Sequence, residues 1–184
     1  MQLKNQISIT ADSGVGSTTT SKVLHNYLGL SPWRWVNAGA IMRVFASEAG
    51  MNIEEFAKYS ASNPEEKCDG MITYFGEQDY VIFEGRLVHH FAPHAFHVLL
   101  VCSPLLRASR RTKDFPEVPA NEMLNMIAER DRLNTERYVK IYGEEVLWPK
   151  EKFDLVLDTG EFPPEKICKK IIDNHKDWLG KKIN

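Results

Sequence analysis

The chain has 184 residues, 43% of them hydrophobic and 26% charged, with a formal net charge of −2. Those values suit one compact domain, residues 1–184, with a core of its own, and they exclude a protein that coats nucleic acid by bulk charge. No apolar run approaches the ~20 residues that cross a bilayer, no apolar signal region follows Met1, and Cys68, Cys102 and Cys168 form no CxxC pair, so reduced thiols and a cytoplasmic location are expected.

The pattern alternates strand and helix without repeats or linkers. Gln6–Thr10 reads as a short strand and is followed by a glycine-containing turn, Ala11–Gly16. Thr18–Leu28 reads as a helix with Gly29 as C-cap. Trp33–Val36 is a second strand and Ala40–Ala49 a helix that stops at Gly50. Ile53–Ser60 is a short helix, with Asn52 as N-cap and Glu55 at the capping-box position. Glu65–Glu77 is helical, and Tyr80–Phe83 is a strand that runs into Glu84-Gly85-Arg86. Phe96–Cys102, the most apolar run, predicts a fully buried strand. Pro104–Thr112 and the long Arg-rich Asn121–Tyr142 are helices, Phe153–Asp158 a last strand and Pro164–Leu179 a closing helix. Apolar strands separated by helices predict an α/β fold with a mostly parallel sheet covered on both faces. In such sheets ligands bind beyond the carboxyl ends of the strands, where both the glycine turn and Glu84-Gly85-Arg86 fall.

The turn Ala11-Asp12-Ser13-Gly14-Val15-Gly16-Ser17-Thr18-Thr19 has the context of a phosphate loop, GxxxxGK[ST] between strand and helix. Gly14 and Gly16 allow the backbone to wrap its amides around a phosphate, and the helix that follows points its free amides and dipole at the anion. Thr18 stands at the Mg²⁺-binding hydroxyl position. Two positions depart from the pattern. Ala11 replaces the first glycine, and Ser17 replaces the lysine that normally places a positive charge on the terminal phosphates. Arginines elsewhere must then supply that charge, or the chain binds nucleotide without turning it over.

Candidate arginines are present. Arg43 and Arg86 follow Gly39 and Gly85, so each can turn a planar fork to a phosphate. Arg107, Arg110 and Arg111 share one helix face, as do Arg130 and Arg137, with Arg132 offset. Exposed helices of this kind also carry arginines as plain surface ion pairs, here with Glu129, Asp131 and Glu136. Glu84 is an acidic group at a strand end, suited to holding Mg²⁺ through water. Asn37 reads either as a base-edge reader or as a helix cap. His89, His90, His94 and His97 cluster in sequence, but Pro93 interrupts the zinc-like spacing of His90 and His94, so a loop is the reading there.

These segments together resemble the cytidylate kinase family, particularly its compact archaeal-type branch, over Ile7 to about Ile172. The residues that carry the resemblance are Ile7–Thr10 with Gly14–Thr20, Val36–Arg43, Met51–Tyr59, Val81–Leu87, Glu136–Gly143 and Phe153–Thr159. Some members of that branch have a hydroxyl residue in place of the loop lysine. The resemblance implies a three-layer P-loop NTPase fold with a five-stranded parallel sheet of order 2-3-1-4-5 and a helical lid at about residues 107–142. It implies a monophosphate-binding segment at about residues 37–78. It further implies transfer of a phosphoryl group from ATP, with Mg²⁺, to CMP or dCMP, with no nucleic-acid or membrane partner. Asp12, Ser13, Gly14, Val15, Gly16, Ser17, Thr18 and Thr19 would hold ATP, and Thr18 and Glu84 would serve Mg²⁺. Asn37, Gly39, Arg43, Glu84, Gly85 and Arg86 would receive the monophosphate. Arg86, Arg107, Arg111, Arg130 and Arg137 would act on the transferring group.

Overall fold

The computed structural model describes residues 4–29, 31–58, 64–143 and 149–183. Strands β1 (Gln6–Ala11), β2 (Arg34–Asn37), β3 (Val81–Glu84), β4 (Phe96–Val101) and β5 (Leu155–Asp158) form one parallel sheet of order β2-β3-β1-β4-β5. The helices are α1 (Ser17–Leu28), α2 (Ala38–Glu48), α3 (Ile53–Lys58), α4 (Pro64–Gly76), α5 (Val88–Phe91), α6 (Pro104–Thr112), α7 (Ala120–Tyr142) and α8 (Pro164–Ile183), with a 3-10 turn at Lys150–Lys152. The sheet order and the fold class are those the sequence predicts.

Helices cover both faces because the central strand is buried on both. Along β1, Ile7, Ile9 and Ala11 face one way and pack with Leu24 of α1 and Ile167, Cys168 and Ile171 of α8. On the other face Val81 and Phe83 of β3 pack with Ile72 of α4 and with Val88 and Ala92 at α5. The alternate residues of β1 on that face are polar, yet Gln6, Ser8 and Thr10 are fully buried. A buried polar group needs a partner, and each has one. Gln6 Nε2 donates to the carbonyl of Gly76 at 2.8 Å, Ser8 Oγ meets His97 Nδ1 at 2.7 Å, and Thr10 Oγ1 meets His89 Nδ1 at 3.3 Å.

Local rules set most boundaries. The Asn52–Glu55 capping box is formed in both directions: Glu55 N donates to Asn52 Oδ1 at 2.8 Å and Asn52 N to Glu55 Oε2 at 3.1 Å. The Ser60 end expected for that helix lies outside the described residues. Helix α2 begins two residues earlier than expected, at Ala38, because Asn37 caps it, and α8 runs past Leu179 to Ile183, since one Gly180 costs a helix only ~1 kcal/mol. The predicted loop after Arg86 contains a single helical turn, α5. Its buried Val88 and the buried Ala92 beyond it hold that turn against the sheet, and it ends before Pro93 as the residue preceding a proline requires. Within the predicted fully buried strand, His97 and Val101 are only half-buried, and Cys102 lies just beyond the ladder.

Two closely packed positions generate predictions. A Cβ on Gly85 would lie 2.7 Å from Ala38 Cβ and 3.0 Å from Val88 Cγ1, so the turn after β3 approaches α2 as only glycine allows. Gly85→Ala is expected to cost about 1–3 kcal/mol in urea unfolding, whereas Gly70→Ala, in open space on α4, is expected to gain up to about 1 kcal/mol. His175 is 4% exposed, packed among the rings of Trp33, Phe96 and Trp178. Burial lowers its pKa from 6.5 to about 4. The unfolded chain therefore takes up this proton near pH 6.5 and the folded chain only near pH 4, so stability falls with pH across that window. His175→Phe is expected to remove up to about 3 kcal/mol of that acid-side loss, read as urea midpoints at pH 7 and pH 4.5. An unchanged difference between the two midpoints would exclude His175 as its source.

Candidate active site

The site starts from the carboxyl end of β1. Ala11 is a strand residue opposite Leu100, and Tyr80 is the one non-glycine among the described residues with positive φ, so alanine replaces the loop glycine without strain. Gly14 (φ 79°) and Gly16 (φ 100°) make the left-handed turns of the loop. Val15, 2% exposed, anchors the loop in the core. Helix α1 starts at Ser17 with no side chain capping its N-terminus. Its first amides are thus left to the space in front of the loop, where the helix dipole favours an anion.

Register brings the second part of the site beside the first. Strand β3 pairs with β1 so that Glu84 lies opposite Ile9, with its side chain under the start of α1. Glu84 is 4% exposed. Its Oε1 accepts from Ser17 Oγ at 3.0 Å and from Thr18 Oγ1 at 2.6 Å. Its Oε2 accepts from Trp35 Nε1 at 3.1 Å and from Asn37 Nδ2 at 2.7 Å. All four donors are neutral. Asn37 Oδ1 meanwhile accepts from Ala40 N at 2.8 Å, so the side chain both caps α2 and holds Glu84.

Around the loop, a cavity of about 1040 Å³ is lined by Asp12 through Thr20, by Arg43, Arg110, Arg111 and Arg130, and by the segment Thr159–Pro164. Arg111 lies 4.8 Å over the Phe115 ring and 3.4 Å from Asp114. Arg107 does not line this cavity. It is 6% exposed and packs behind the loop, donating from Nε to the carbonyl of Ser13 at 2.8 Å. Its Nη2 pairs with Asp131 at 2.8 Å and its Nη1 lies 3.9 Å from Asp12. Arg86 sits at the same carboxylates, 3.6 Å from Asp12 and 3.9 Å from Asp131. Two arginines and two aspartates from the loop, the turn after β3, α6 and α7 thus form one cluster. Burial and the Asp131 carboxylate push Asp12 up to about 6, against the opposing pull of Arg86 and Arg107. Arg137 stands apart, stacked 4.9 Å over the Tyr138 ring with Nη2 3.1 Å from Asn134. Gly39 lies in the first turn of α2 beside Arg43, and Gly85 lies against Ala38.

The structure also adds residues that sequence reasoning left out of the site. Arg110 Nη1 donates to the Val15 carbonyl at 2.7 Å and to Thr159 Oγ1 at 2.9 Å, and its Nη2 donates to the Thr159 carbonyl at 2.7 Å. It ties the loop to the end of β5. Its place on the face shared with Arg107 and Arg111 was the available signal. Trp35 gave none, because an indole on a short strand reads as core. Three of the four clustered histidines remain neighbours in the fold: His89 and His90 on α5 stack at 4.6 Å, and the His97 ring on β4 lies edge-on to His89 at 6.5 Å. Among the described residues no group of three His, Cys, Asp or Glu side chains is arranged to hold a metal ion. A site of one carboxylate and one hydroxyl that leaves room for phosphate oxygens and water suits Mg²⁺, and Thr18 with Glu84 has that composition.

No family model matches the chain. It is 31% identical to the cytidylate kinase of Pyrococcus horikoshii over 95% of this chain and 91% of that protein. It is also 31% identical to the cytidylate kinase of Methanothermobacter thermautotrophicus, over 86% of this chain and 98% of that protein. Among solved structures, a gluconokinase from Sinorhizobium meliloti superposes with a TM-score of 0.62 at 12% identity, covering 100% of this chain and 98% of that one. A shikimate kinase from Bacteroides thetaiotaomicron gives 0.61 at 13% identity, over 91% and 96%. Those two likenesses carry the fold alone, a parallel P-loop kinase sheet. Among the described residues no helix is long and apolar enough to cross a membrane. At 31% identity over nearly its whole length, the chain belongs to the cytidylate kinase family, a family of ATP-dependent phosphotransferases.

Proposed function

We propose that the protein is a cytoplasmic nucleoside monophosphate kinase that transfers the γ-phosphoryl group of ATP to CMP or dCMP. The observation that carries this reading is the single cavity onto which the loop, Thr18, Arg43, Arg111 and Arg130 open, with Glu84 hydrogen-bonded to Thr18 beneath it. Phosphoryl transfer asks the protein for position and positive charge rather than covalent chemistry. The amides of Asp12 through Thr19 hold the donor phosphates. Thr18 and Glu84 are the residues that would hold Mg²⁺, which when bound supplies charge to the β- and γ-phosphates. Arg43 and Arg86 take the acceptor monophosphate, in the segment that includes Asn37, Gly39 and Gly85. Arg107, Arg111, Arg130 and Arg137 gather on the transferring group. Arg86 and Arg107 exchange an aspartate partner for phosphate when they do so, and Arg137 turns in from Tyr138. A phosphate monoester oxygen is already anionic, so no general base is needed.

A second reading, a nucleotide-binding protein without turnover, is favoured by one observation. Ser17 gives its hydroxyl to Glu84 and brings no charge to the loop. One assay separates the two. ADP release is followed with ATP, Mg²⁺ and each of CMP, dCMP, UMP and AMP, beside Arg86→Ala and Arg130→Ala. Turnover is expected to be highest with CMP or dCMP. Each arginine variant is expected to lose about a hundredfold or more in kcat/KM, the scale of ~3 kcal/mol of transition-state charge stabilisation. Turnover with UMP or AMP instead would move the acceptor. No turnover with any acceptor, in protein that binds ATP, would establish the second reading.

A further inference from the structure

The Glu84 carboxylate is held on both oxygens, and the two pairs of donors come from different parts of the chain. Ser17 and Thr18 at the head of α1 take Oε1, while Trp35 and Asn37 on the edge strand β2 take Oε2. Hydrogen bonds to an ionised group are stronger than neutral pairs, and a carboxylate with four of them has one orientation. The arrangement keeps a buried negative charge beneath the loop with no cation among its hydrogen-bond partners. A lysine at position 17 would lie beside this carboxylate and cancel its field. Serine leaves it whole, so that the loop repels a bare polyphosphate and attracts a divalent cation.

We infer that Trp35 and Asn37 are positioning residues that aim Glu84 at a divalent cation beside Thr18, and that with serine at position 17 this cation takes over the charge role of the missing loop lysine, making nucleotide binding depend on it. The inference rests on the reading of Thr18 and Glu84 as the Mg²⁺-facing pair. It goes further in assigning Trp35 and in making Ser17 the cause of metal-dependent binding. The cation need not be caged by protein, since Mg²⁺ is commonly held by one or two protein oxygens together with phosphates and water.

The test reads binding rather than turnover. A fluorescent ATP analogue is titrated into wild type, Ser17→Lys, Trp35→Phe and Glu84→Gln, in excess Mg²⁺ and in EDTA, and Mn²⁺ affinity in the presence of the analogue is read by electron paramagnetic resonance. Wild type is expected to bind the analogue at least about tenfold more weakly in EDTA, and Ser17→Lys to close that gap to about twofold, as restored positive charge near the phosphates requires. Trp35→Phe is expected to weaken Mn²⁺ about tenfold, the lower end of the scale of one hydrogen bond to a charged group, while leaving the EDTA affinity unchanged. Asn37→Ser, which keeps a capping oxygen for α2, is expected to weaken Mn²⁺ by a similar factor and stands in should Trp35→Phe fail to fold. Wild-type binding that EDTA does not weaken, or a gap that Ser17→Lys does not narrow, would overturn the inference. If Glu84→Gln leaves Mn²⁺ affinity unchanged, the metal reading itself fails. If Glu84→Gln weakens Mn²⁺ while Trp35→Phe and Asn37→Ser do not, only the positioning role fails.

Discussion

The carboxylate of Glu84 is the group around which the site is arranged. Burying an ion costs several kcal/mol unless its lone pairs are met, and Glu84 is 4% exposed. Satisfying it here takes β3 ending beside the start of α1, β2 presenting Trp35 and Asn37 at the same depth, and the loop delivering two hydroxyls. Each of these demands fixes a neighbour. Asn37 in turn starts α2, and α2 carries Arg43 to the cavity. Gly85 directly follows Glu84 and lets that same helix approach to contact. One buried charge thus couples the ends of β2 and β3 to the head of α1 and to the helix that bears Arg43.

The second organising element is the cluster of Asp12, Asp131, Arg86 and Arg107. It draws four separate stretches of chain together, with two positive and two negative groups partly withdrawn from water. Asp12 is pushed up to about 6 chiefly by burial and by Asp131, despite two guanidinium groups nearby. Helix α7 enters this cluster through Asp131, and it otherwise buries only Met123, Ile127 and Tyr138 of its 23 residues.

Much of this was legible in the sequence. Helix α6 has the predicted limits, because Ser103 caps it, Pro104 suits its first turn, and both are local signals. The glycine loop, the capping box at Asn52 and the Glu84-Gly85-Arg86 turn were readable for the same reason. What failed to show were features decided by neighbours distant in sequence. The single turn α5 is too short to be stable alone and exists because the sheet holds Val88 and Ala92. The histidines are near in sequence, but their partners are not. In the fold, His97 turns to Ser8 and His89 to Thr10, as partners for the polar side of β1. Arg107 and Arg111 share a helix face in sequence, yet one is buried against the back of the loop and the other lines the cavity.

The sequence by itself determined the sheet, its order through the family resemblance, and the place of the phosphate loop, since strand and helix periodicity, caps and glycines act over a few residues. It also determined that the loop lacks its lysine. Only the tertiary structure decided what that lack means. The partner of Ser17 is Glu84, 67 residues away, and Trp35 and Asn37 reach the same carboxylate from a different strand. Hydrogen bonds of that kind depend on the register of parallel strands and on how closely α1 approaches them, and neither distance is written in any local stretch of chain.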